Sequence, residues 1–282
     1  MKKHPRPLPL HLPSHKQWQH TSIPPLDELR ARLGKASSHP IDLDGSANQQ
    51  LCVDALTQNI AGLSWYAHSD NPPYYAKAPS AIKQIYLRPD LIRRLQAANR
   101  LLTKSGMELF LFDGWRPQLV QHYYRTVWTP AKLRELHPNL TERAIEAQAE
   151  RYWATGYKNE NAVPPNNPPP HSTGACVDLT MRHIKTKQFA YMGGLFDDPS
   201  PISHADALEG KEDDSLSFRD ARANRRLLYW VLTTVGLTNY PNEWWHWSYG
   251  DQEWAVANDQ RAALYGKWSP SRLRKWRRKP TK

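Results

Sequence analysis

Two short segments of the chain combine histidine with carboxylates at spacings suited to a metal ion. His171 is followed seven residues later by Asp178, with Gly174 between them to turn the chain. Glu243 precedes His246 by three residues. Two imidazoles and one carboxylate form a three-ligand set that leaves a position open for water, which is the pattern of catalytic zinc sites. A carboxylate just before a ligand is placed to act as a base on that water.

Each motif on its own has a plainer interpretation. The chain has 12 histidines, so any single one is more often a surface or core residue than a ligand. His171 follows three prolines and fits a loop residue, and Asp178 fits a cap of a neighbouring backbone. Glu243 and His246 fit a hydrogen-bonded pair beneath a group of tryptophans. The occurrence of both motifs together, in this order, is what favours a metal site.

A helix followed by a strand leads into a third cluster, the turn that bears Arg116. Apolar residues recur at i, i+3 and i+4 over residues 89–104, with proline at the start and glycine after the end, so we predict a helix there. Residues 107–112 are apolar on both faces, as in a central strand. The turn at residues 113–117 would aim Arg116 out of the end of this strand.

A second strand would carry Asp178. Apolar residues alternate with others over residues 176–181, which predicts a strand with Asp178 on its pocket side. Residues 158–170, before this strand, are rich in proline and asparagine and predict a loop.

The other segments complete a mixed architecture. We predict helices from the Arg116 turn through Val127, over residues 141–155, and in a last core helix stopped by Gly236. Residues 197–218 are polar and acidic and predict a lid-like loop. Helices and strands mix without a β-α-β rhythm, which predicts an α+β fold. We expect a single domain with a partly antiparallel central sheet flanked by helices, and the zinc site at the sheet.

The positive charge of the chain is concentrated at its two ends. The 282 residues carry a net charge of +11, and 39% of them are hydrophobic, enough for a buried core. The first twenty residues hold four basic residues and residues 266–282 hold eight, both without an acid. We therefore predict an extended basic arm (1–27), a core domain (28–265) and a basic tail (266–282). The ends are expected to be solvated or to contact an anionic surface, and nucleic acid is not expected as a partner.

Signals for export or a membrane are not evident in the sequence. No run approaches about 18 apolar residues, and the first twenty residues lack the apolar stretch of a signal peptide. Cys52 and Cys176, the two cysteines, are too few for a disulfide framework. We therefore expect a cytoplasmic protein, and the oligomeric state is left open.

Five motifs together resemble one known family. They are Asp113-Gly114-Trp115-Arg116-Pro117, His171-x-x-Gly174-x-x-x-Asp178-Leu179-Thr180, Met192-Gly193-x-x-Phe196-Asp197, Asn224-Arg225-Arg226 and Glu243-Trp244-Trp245-His246. This combination resembles the D-alanyl-D-alanine dipeptidase family of zinc peptidases. The resemblance implies one zinc ion per chain and hydrolysis of the D-Ala-D-Ala dipeptide to two D-alanines, with residues 28–265 as the zinc peptidase domain.

The resemblance also implies roles for the residues that carry the chemistry. His171, Asp178 and His246 would be the zinc ligands. Glu243 would be the catalytic base and acid, and Arg116 would stabilise the transition state.

Two further residues would bind the substrate. Asp197 would receive the free amino group of the dipeptide, and Tyr66, in the segment Tyr66-Ala67-x-x-Asp70-Asn71, would be a second contact. The rim of the pocket departs from the family pattern, which usually has serine two residues before the first histidine, where this chain has Pro169. The proline-rich loop at residues 158–170 is also longer. These departures bear on the choice of substrate and leave the metal chemistry as implied.

Two alternatives to a dipeptidase remain open. One is a D,D-carboxypeptidase that trims D-Ala from peptidoglycan stem peptides. Asp197 favours the dipeptidase, because an acid at the amine end suits a short substrate with a free amino group. The other is a non-catalytic, zinc-stabilised module that binds the cell wall or nucleic acid. Glu243 and Arg116 argue against it, because a structural zinc site needs neither.

Overall fold

A mixed sheet and the helices packed on it form the body of the structure. The computed structural model describes residues 14–213 and 215–271. Its strands are β1 (Val53–Asp54), β2 (Ala61–Gly62), β3 (Tyr86–Leu87), β4 (Met107–Asp113), β5 (Cys176–His183), β6 (Thr238–Asn239) and β7 (His246–Ser248). Its α-helices are α1 (His15–His20), α2 (Asp27–Leu33), α3 (Pro89–Leu102), α4 (Gln118–Tyr123), α5 (Thr129–Leu136), α6 (Glu142–Tyr152), α7 (Leu216–Thr234) and α8 (Gln252–Ala257).

The main sheet is built around β4 and β5. Within the described residues it has five strands in the order β2-β4-β5-β7-β6. β2 runs parallel to β4, and all the other neighbours are antiparallel. β1 and β3 form a separate antiparallel pair. The predicted α+β fold, one domain with a partly antiparallel central sheet, is therefore confirmed.

The predicted helix and strand before the Arg116 turn are both present. α3 begins with proline in its first turn, and its apolar side is buried against β4 and α7. Gly106, at φ +71°, follows in the left-handed conformation that glycine adopts without strain. β4 starts at the next residue, and residues 109–113 are all buried. The strand predicted over 176–181 is also confirmed, since β5 begins at Cys176 and is buried through Met181.

The helix predicted after the Arg116 turn is longer than expected and irregular. α4 is followed by a π-helical turn, Tyr124–Trp128, and then by α5. Single π turns inside helices occur frequently at functional sites. Here the turn buries Tyr124 completely, and its ring stacks on Trp153 with the ring centroids 4.8 Å apart. The helix predicted over residues 141–155 is present as α6.

The segment expected to be a lid-like loop is tied to α7. Arg225, a buried residue of α7, donates from Nε to the carbonyl of Met192 at 2.6 Å. Its two terminal nitrogens donate to the carbonyls of His204 and Ile202, each at 2.7 Å. α7 begins at Leu216, earlier than the apolar periodicity indicated, because the side chain of Ser215 caps it. One arginine thus holds both flanks of the chain around residue 197.

The prediction of an extended arm over residues 1–27 is wrong in its second half. Residues 1–13 lie outside the described part, but the next residues form α1, which packs against α7. Trp18, Ile23 and Leu26 are buried in the core. The segment is rich in proline, histidine and lysine, so its composition did not indicate that these three apolar side chains are buried. Their burial attaches the segment to the rest of the domain.

The predicted start of the basic tail at residue 266 is too early. Trp268 is buried, and its backbone N–H donates to the Ser172 carbonyl at 2.8 Å. Lys267 Nζ donates to the Val163 carbonyl at 2.8 Å. Residues 272–282 lie outside the described part, so contact of either end with an anionic surface stays a prediction, as does the cytoplasmic location. No described helix is both long and apolar enough to cross a membrane.

The burial of Trp18 predicts that the first helix stabilises the domain. Trp18→Ala is expected to lower the free energy of unfolding by about 3–5 kcal/mol, because it removes a buried aromatic side chain and leaves a cavity. Lys16→Ala, an exposed change in the same helix, is expected to stay within about 0.5 kcal/mol of the parent. Chemical denaturation followed by tryptophan fluorescence measures both. Equal stability of the two variants would mean that α1 does not belong to the cooperative unit.

Candidate metal centre

The pairing of β5 with β7 brings two of the predicted ligands together. Asp178 lies directly opposite His246 in the antiparallel register, so both side chains are on the same face of the sheet. His171 reaches this face from the short helical turn Pro170–Ser172 just before β5. Gly174, at φ +68°, reverses the chain between them, and a Cβ there would come within 2.5 Å of Cys52 Sγ. This turn therefore needs glycine.

The three predicted ligands form a compact triangle of side chains, in which Asp178 turns one carboxylate oxygen to each histidine. His246 Nδ1 is 3.1 Å from Asp178 Oδ1, and His171 Nε2 is 3.3 Å from Asp178 Oδ2. The two imidazole nitrogens are 3.3 Å apart. Zinc bonds of about 2.0–2.1 Å in tetrahedral geometry place neighbouring ligand atoms about 3.3 Å from one another. All three residues are buried, and their nitrogen and oxygen atoms approach one another in pairs to 3.1–3.3 Å, so these side chains and their spacing fit a zinc ion.

The protonation of His171 is set by the backbone. Its Nδ1 lies 2.7 Å from the Gly114 carbonyl, which can only accept a hydrogen bond. Nδ1 therefore carries the proton, and Nε2 is left with the lone pair that a metal needs. A partner on the second nitrogen of this kind is the usual way in which proteins orient a metal-binding histidine.

Glu243 lies at the edge of the triangle. Its Oε2 is 3.7 Å from His246 Nδ1, and 35% of its side chain is exposed, compared with 2% for Asp178. Loss of water around the carboxyl raises the pKa of Glu243 above its ordinary value. The position and the pKa both suit a group that exchanges protons with water beside the metal.

Arg116 is brought to the same point by the turn after β4. Its Nη2 donates to Asp178 Oδ2 at 2.9 Å and lies 3.5 Å from His171 Nε2. Two further hydrogen bonds hold the guanidinium. Its Nε donates to Asp113 Oδ2 at 2.6 Å, and its Nη1 donates to Gln121 Oε1 at 2.8 Å. These two holding residues were not predicted from the sequence. Asp113 belongs to the motif at residues 113–117, but the motif assigned it no role. Gln121, on α4, belongs to no motif.

Asp197 and Tyr66 also meet, in an aromatic pocket next to Arg116. Asp197 Oδ2 accepts hydrogen bonds from Tyr66 Oη at 2.6 Å and from Tyr74 Oη at 2.8 Å. The Arg116 guanidinium lies 4.7 Å from the centre of the Tyr66 ring, which connects this pocket to the metal centre. Burial raises the pKa of Asp197 to about 7, against the opposing charge of Arg116. Tyr74 was missed by the sequence analysis, because it belongs to no motif.

All seven predicted site residues are therefore in one connected region. The three ligand candidates, Glu243 and Arg116 surround one point, and Tyr66 joins Asp197 to Arg116. Comparison with known proteins decides the family. Residues 46–264 match the model of the peptidase family described as D-ala-D-ala dipeptidase. The chain belongs to the D-alanyl-D-alanine dipeptidase family of zinc peptidases.

Members of the dipeptidase family from several bacteria are similar to this chain over most of its length. A D-alanyl-D-alanine dipeptidase of Streptomyces coelicolor is 34% identical over 201 residues, which are 70% of this chain and 89% of that protein. The one from Synechocystis is 32% identical over 188 residues, 62% of this chain and 73% of that protein. The one from Enterococcus faecium is 26% identical over 202 residues, 70% and 91% of the two chains.

One solved structure is a more distant likeness. It is a vancomycin resistance D,D-pentapeptidase, VanY, in complex with Zn(II). The alignment has 15% identity and a TM-score of 0.33, and it covers 69% of this chain and 92% of the other.

The triangle of side chains predicts which substitutions remove the metal. The purified protein is expected to hold about one zinc per chain, and His171→Ala, Asp178→Ala and His246→Ala should each lose most of it, because each removes one of the three predicted ligands. His137→Ala, an exposed histidine, should keep the parent zinc content. Elemental analysis after dialysis measures the zinc content of the parent and of the four variants. A parent level of zinc in any of the first three would remove that residue from the ligand set.

Proposed function

We propose that this chain hydrolyses the D-Ala-D-Ala dipeptide at a zinc centre held by His171, Asp178 and His246. The observation that carries the proposal is this triangle of side chains, whose ligand atoms lie 3.1 to 3.3 Å apart in pairs, beside a carboxylate and an arginine. Zinc in such a site lowers the pKa of a bound water to about 7 and so supplies a nucleophile at neutral pH.

Glu243 is the proposed proton carrier. Its partial exposure leaves the carboxylate in reach of water in the cleft, and its 3.7 Å separation from His246 Nδ1 keeps it beside the ligands. A raised pKa makes a carboxylate a better proton acceptor and brings its pKa nearer to the working pH. Glu243 takes a proton from the attacking water and returns it to the amine that leaves.

Arg116 is the proposed partner of the negative charge that develops on the carbonyl oxygen. Asp113 and Gln121 already hold its guanidinium, so little reorganisation is needed when the charge appears. Its Nη2 lies next to the ligand atoms of Asp178 and His171, which is where a bound peptide carbonyl would be polarised.

Asp197 is the proposed receptor of the substrate's amino group. In a dipeptide the ammonium is one residue from the scissile bond, so it must enter the protein with the reacting carbonyl. Removing an ammonium from water is costly unless an acid receives it. Tyr66 and Tyr74 both donate to Oδ2 of Asp197, and this fixes the orientation of the carboxylate while Oδ1 remains for the ammonium.

Replacement of the base separates its role from that of the ligands. Glu243→Gln keeps the shape of the side chain but removes the proton acceptor, so turnover of D-Ala-D-Ala should fall at least about 10²-fold with zinc content unchanged. Glu146→Gln, an exposed change on α6, should leave both values at the parent level. The measurements are D-alanine release and elemental analysis of the same samples. Loss of zinc from Glu243→Gln would show a ligand or structural role instead.

The pocket around Asp197 predicts which substrates are accepted. N-acetylation removes the ammonium and leaves Asp197 without its partner, so N-acetyl-D-Ala-D-Ala should react about 10² to 10⁴-fold more slowly than D-Ala-D-Ala. Longer stem peptides should be equally poor. Asp197→Ala should lose most activity on the free dipeptide, and its rates on the free and the acetylated dipeptide should differ less than those of the parent. Asp198→Ala, at the next position, should keep the parent ratio.

Rates of D-alanine release from the free dipeptide, the acetylated dipeptide and a blocked pentapeptide measure this preference. Release from the pentapeptide as fast as from the free dipeptide would favour the D,D-carboxypeptidase alternative. No activity on any of the three, with zinc bound, would favour the non-catalytic alternative.

A further inference from the structure

His246 has a second ring nitrogen that the metal centre does not use. Nδ1 is the nitrogen that faces Asp178 and His171, at 3.1 and 3.3 Å. A neutral imidazole that offers its Nδ1 lone pair to a metal carries its proton on Nε2. Nε2 of His246 is buried and, among the described residues, has no hydrogen-bond partner. A buried N–H of this kind requires an acceptor, since leaving it unpaired costs free energy.

A carboxylate faces this nitrogen. Glu253 Oε2 lies 3.7 Å from His246 Nε2, and it too is buried and, in the part of the chain that the structure describes, unpartnered. The Nε2–H group of His246 needs an acceptor, and the carboxylate of Glu253 needs a donor. A side-chain movement of about 1 Å brings two such atoms to the usual length of a charge-assisted hydrogen bond.

The backbone holds Glu253 at this place independently of the metal. Glu253 is in the first turn of α8, which is capped by Asp251, whose side chain accepts from the N–H of Trp254 at 2.9 Å. Asp251 also accepts from Ser248 Oγ at 2.7 Å, so the cap is joined to the last residue of β7. Gln252 fastens the same turn to the carbonyl of His39 at 2.6 Å. The strand that carries His246 and the helix that carries Glu253 are thus one linked unit.

We propose that Glu253 is a positioning residue of the metal centre, whose carboxylate accepts the Nε2 proton of His246 and so keeps Nδ1 directed at the zinc. The proposal rests on His246 being a ligand, as proposed above. Histidine ligands in metalloproteins nearly always donate their other N–H to a carboxylate, carbonyl or water, and loss of that partner typically weakens metal binding about 10- to 100-fold. Glu253 acts through His246 and does not touch the substrate.

Cys176 is the competing partner for His246. Its thiol belongs to a group with nitrogens of His171 and His246 in which all ligand atoms lie within 4.8 Å of one another. Cys176 is on β5, two residues before Asp178 and on the same face of the strand. A thiol is a weak acceptor compared with a carboxylate. An experiment on Glu253 must therefore include Cys176.

The test measures zinc affinity by competition with a chelator, using the full chain. Glu253→Ala should weaken zinc binding about 10- to 100-fold. Glu253→Gln should weaken it less, because an amide oxygen accepts the same hydrogen bond without the charge. Glu28→Gln, an exposed change on α2, and Cys176→Ala should bind as the parent does. Parent affinity in both Glu253 variants, or weakened binding in Cys176→Ala alone, would overturn the proposal.

A second measurement detects the hydrogen bond itself and so separates its loss from a general loss of folding. In ¹⁵N NMR spectra of the zinc-loaded parent, the His246 ring should give a protonated Nε2 in slow exchange with water, and that signal should persist in Glu253→Gln and broaden or vanish in Glu253→Ala. A general loss of structure would instead alter the spectrum of the whole chain. The signal unchanged in Glu253→Ala would overturn the proposal. Zinc loss in His246→Ala alone would refute the role of Glu253 and leave the proposed function standing, whereas full zinc binding in His246→Ala would refute both.

Discussion

The pairing of β5 with β7 is the interaction on which the rest of the site depends. It sets Asp178 opposite His246 through the backbone register of the two strands. Sheet register is specified to a single residue, and a slip of one position would place Asp178 and His246 on opposite faces of the sheet. The distance between Asp178 and His246 follows from this register, because the backbone is held by the same sheet that forms the core.

The register also places an acid where no water can solvate it. Asp178 is 1% exposed, so burial by itself opposes the ionisation of its carboxyl group. Arg116 offsets this cost, because its Nη2 donates to Asp178 Oδ2 at 2.9 Å. Charges in a dry site interact more strongly than in water, so the cluster is stable only as a complete set. Asp113 and Gln121, which hold Arg116, belong to the set for that reason.

The aromatic residues form the other half of the site. Tyr66, Tyr74, Tyr124 and Trp153 pack against one another, and two of their hydroxyls converge on Asp197. Rings with polar ends can exclude water and still offer a hydrogen bond, as Tyr66 and Tyr74 do here. The π-helical turn after α4 is what brings Tyr124 into this group. These rings thus surround a carboxylate that is only partly exposed to solvent.

The sequence by itself determined the local elements and the chemistry they carry. Helix periodicity located α3, and alternation located β5 and the face that carries Asp178. The spacing of Glu243 and His246 indicated a base beside a ligand. All of these signals lie within a few neighbouring residues, so the sequence alone displays them. Only the tertiary structure decided the partners that lie far apart along the chain. Tyr74 meets Asp197 across 123 positions, and Trp18 is buried although its surroundings are rich in proline and lysine. Contacts of this kind leave no periodic trace in the sequence, since they depend on how whole elements pack and not on the order of neighbouring residues.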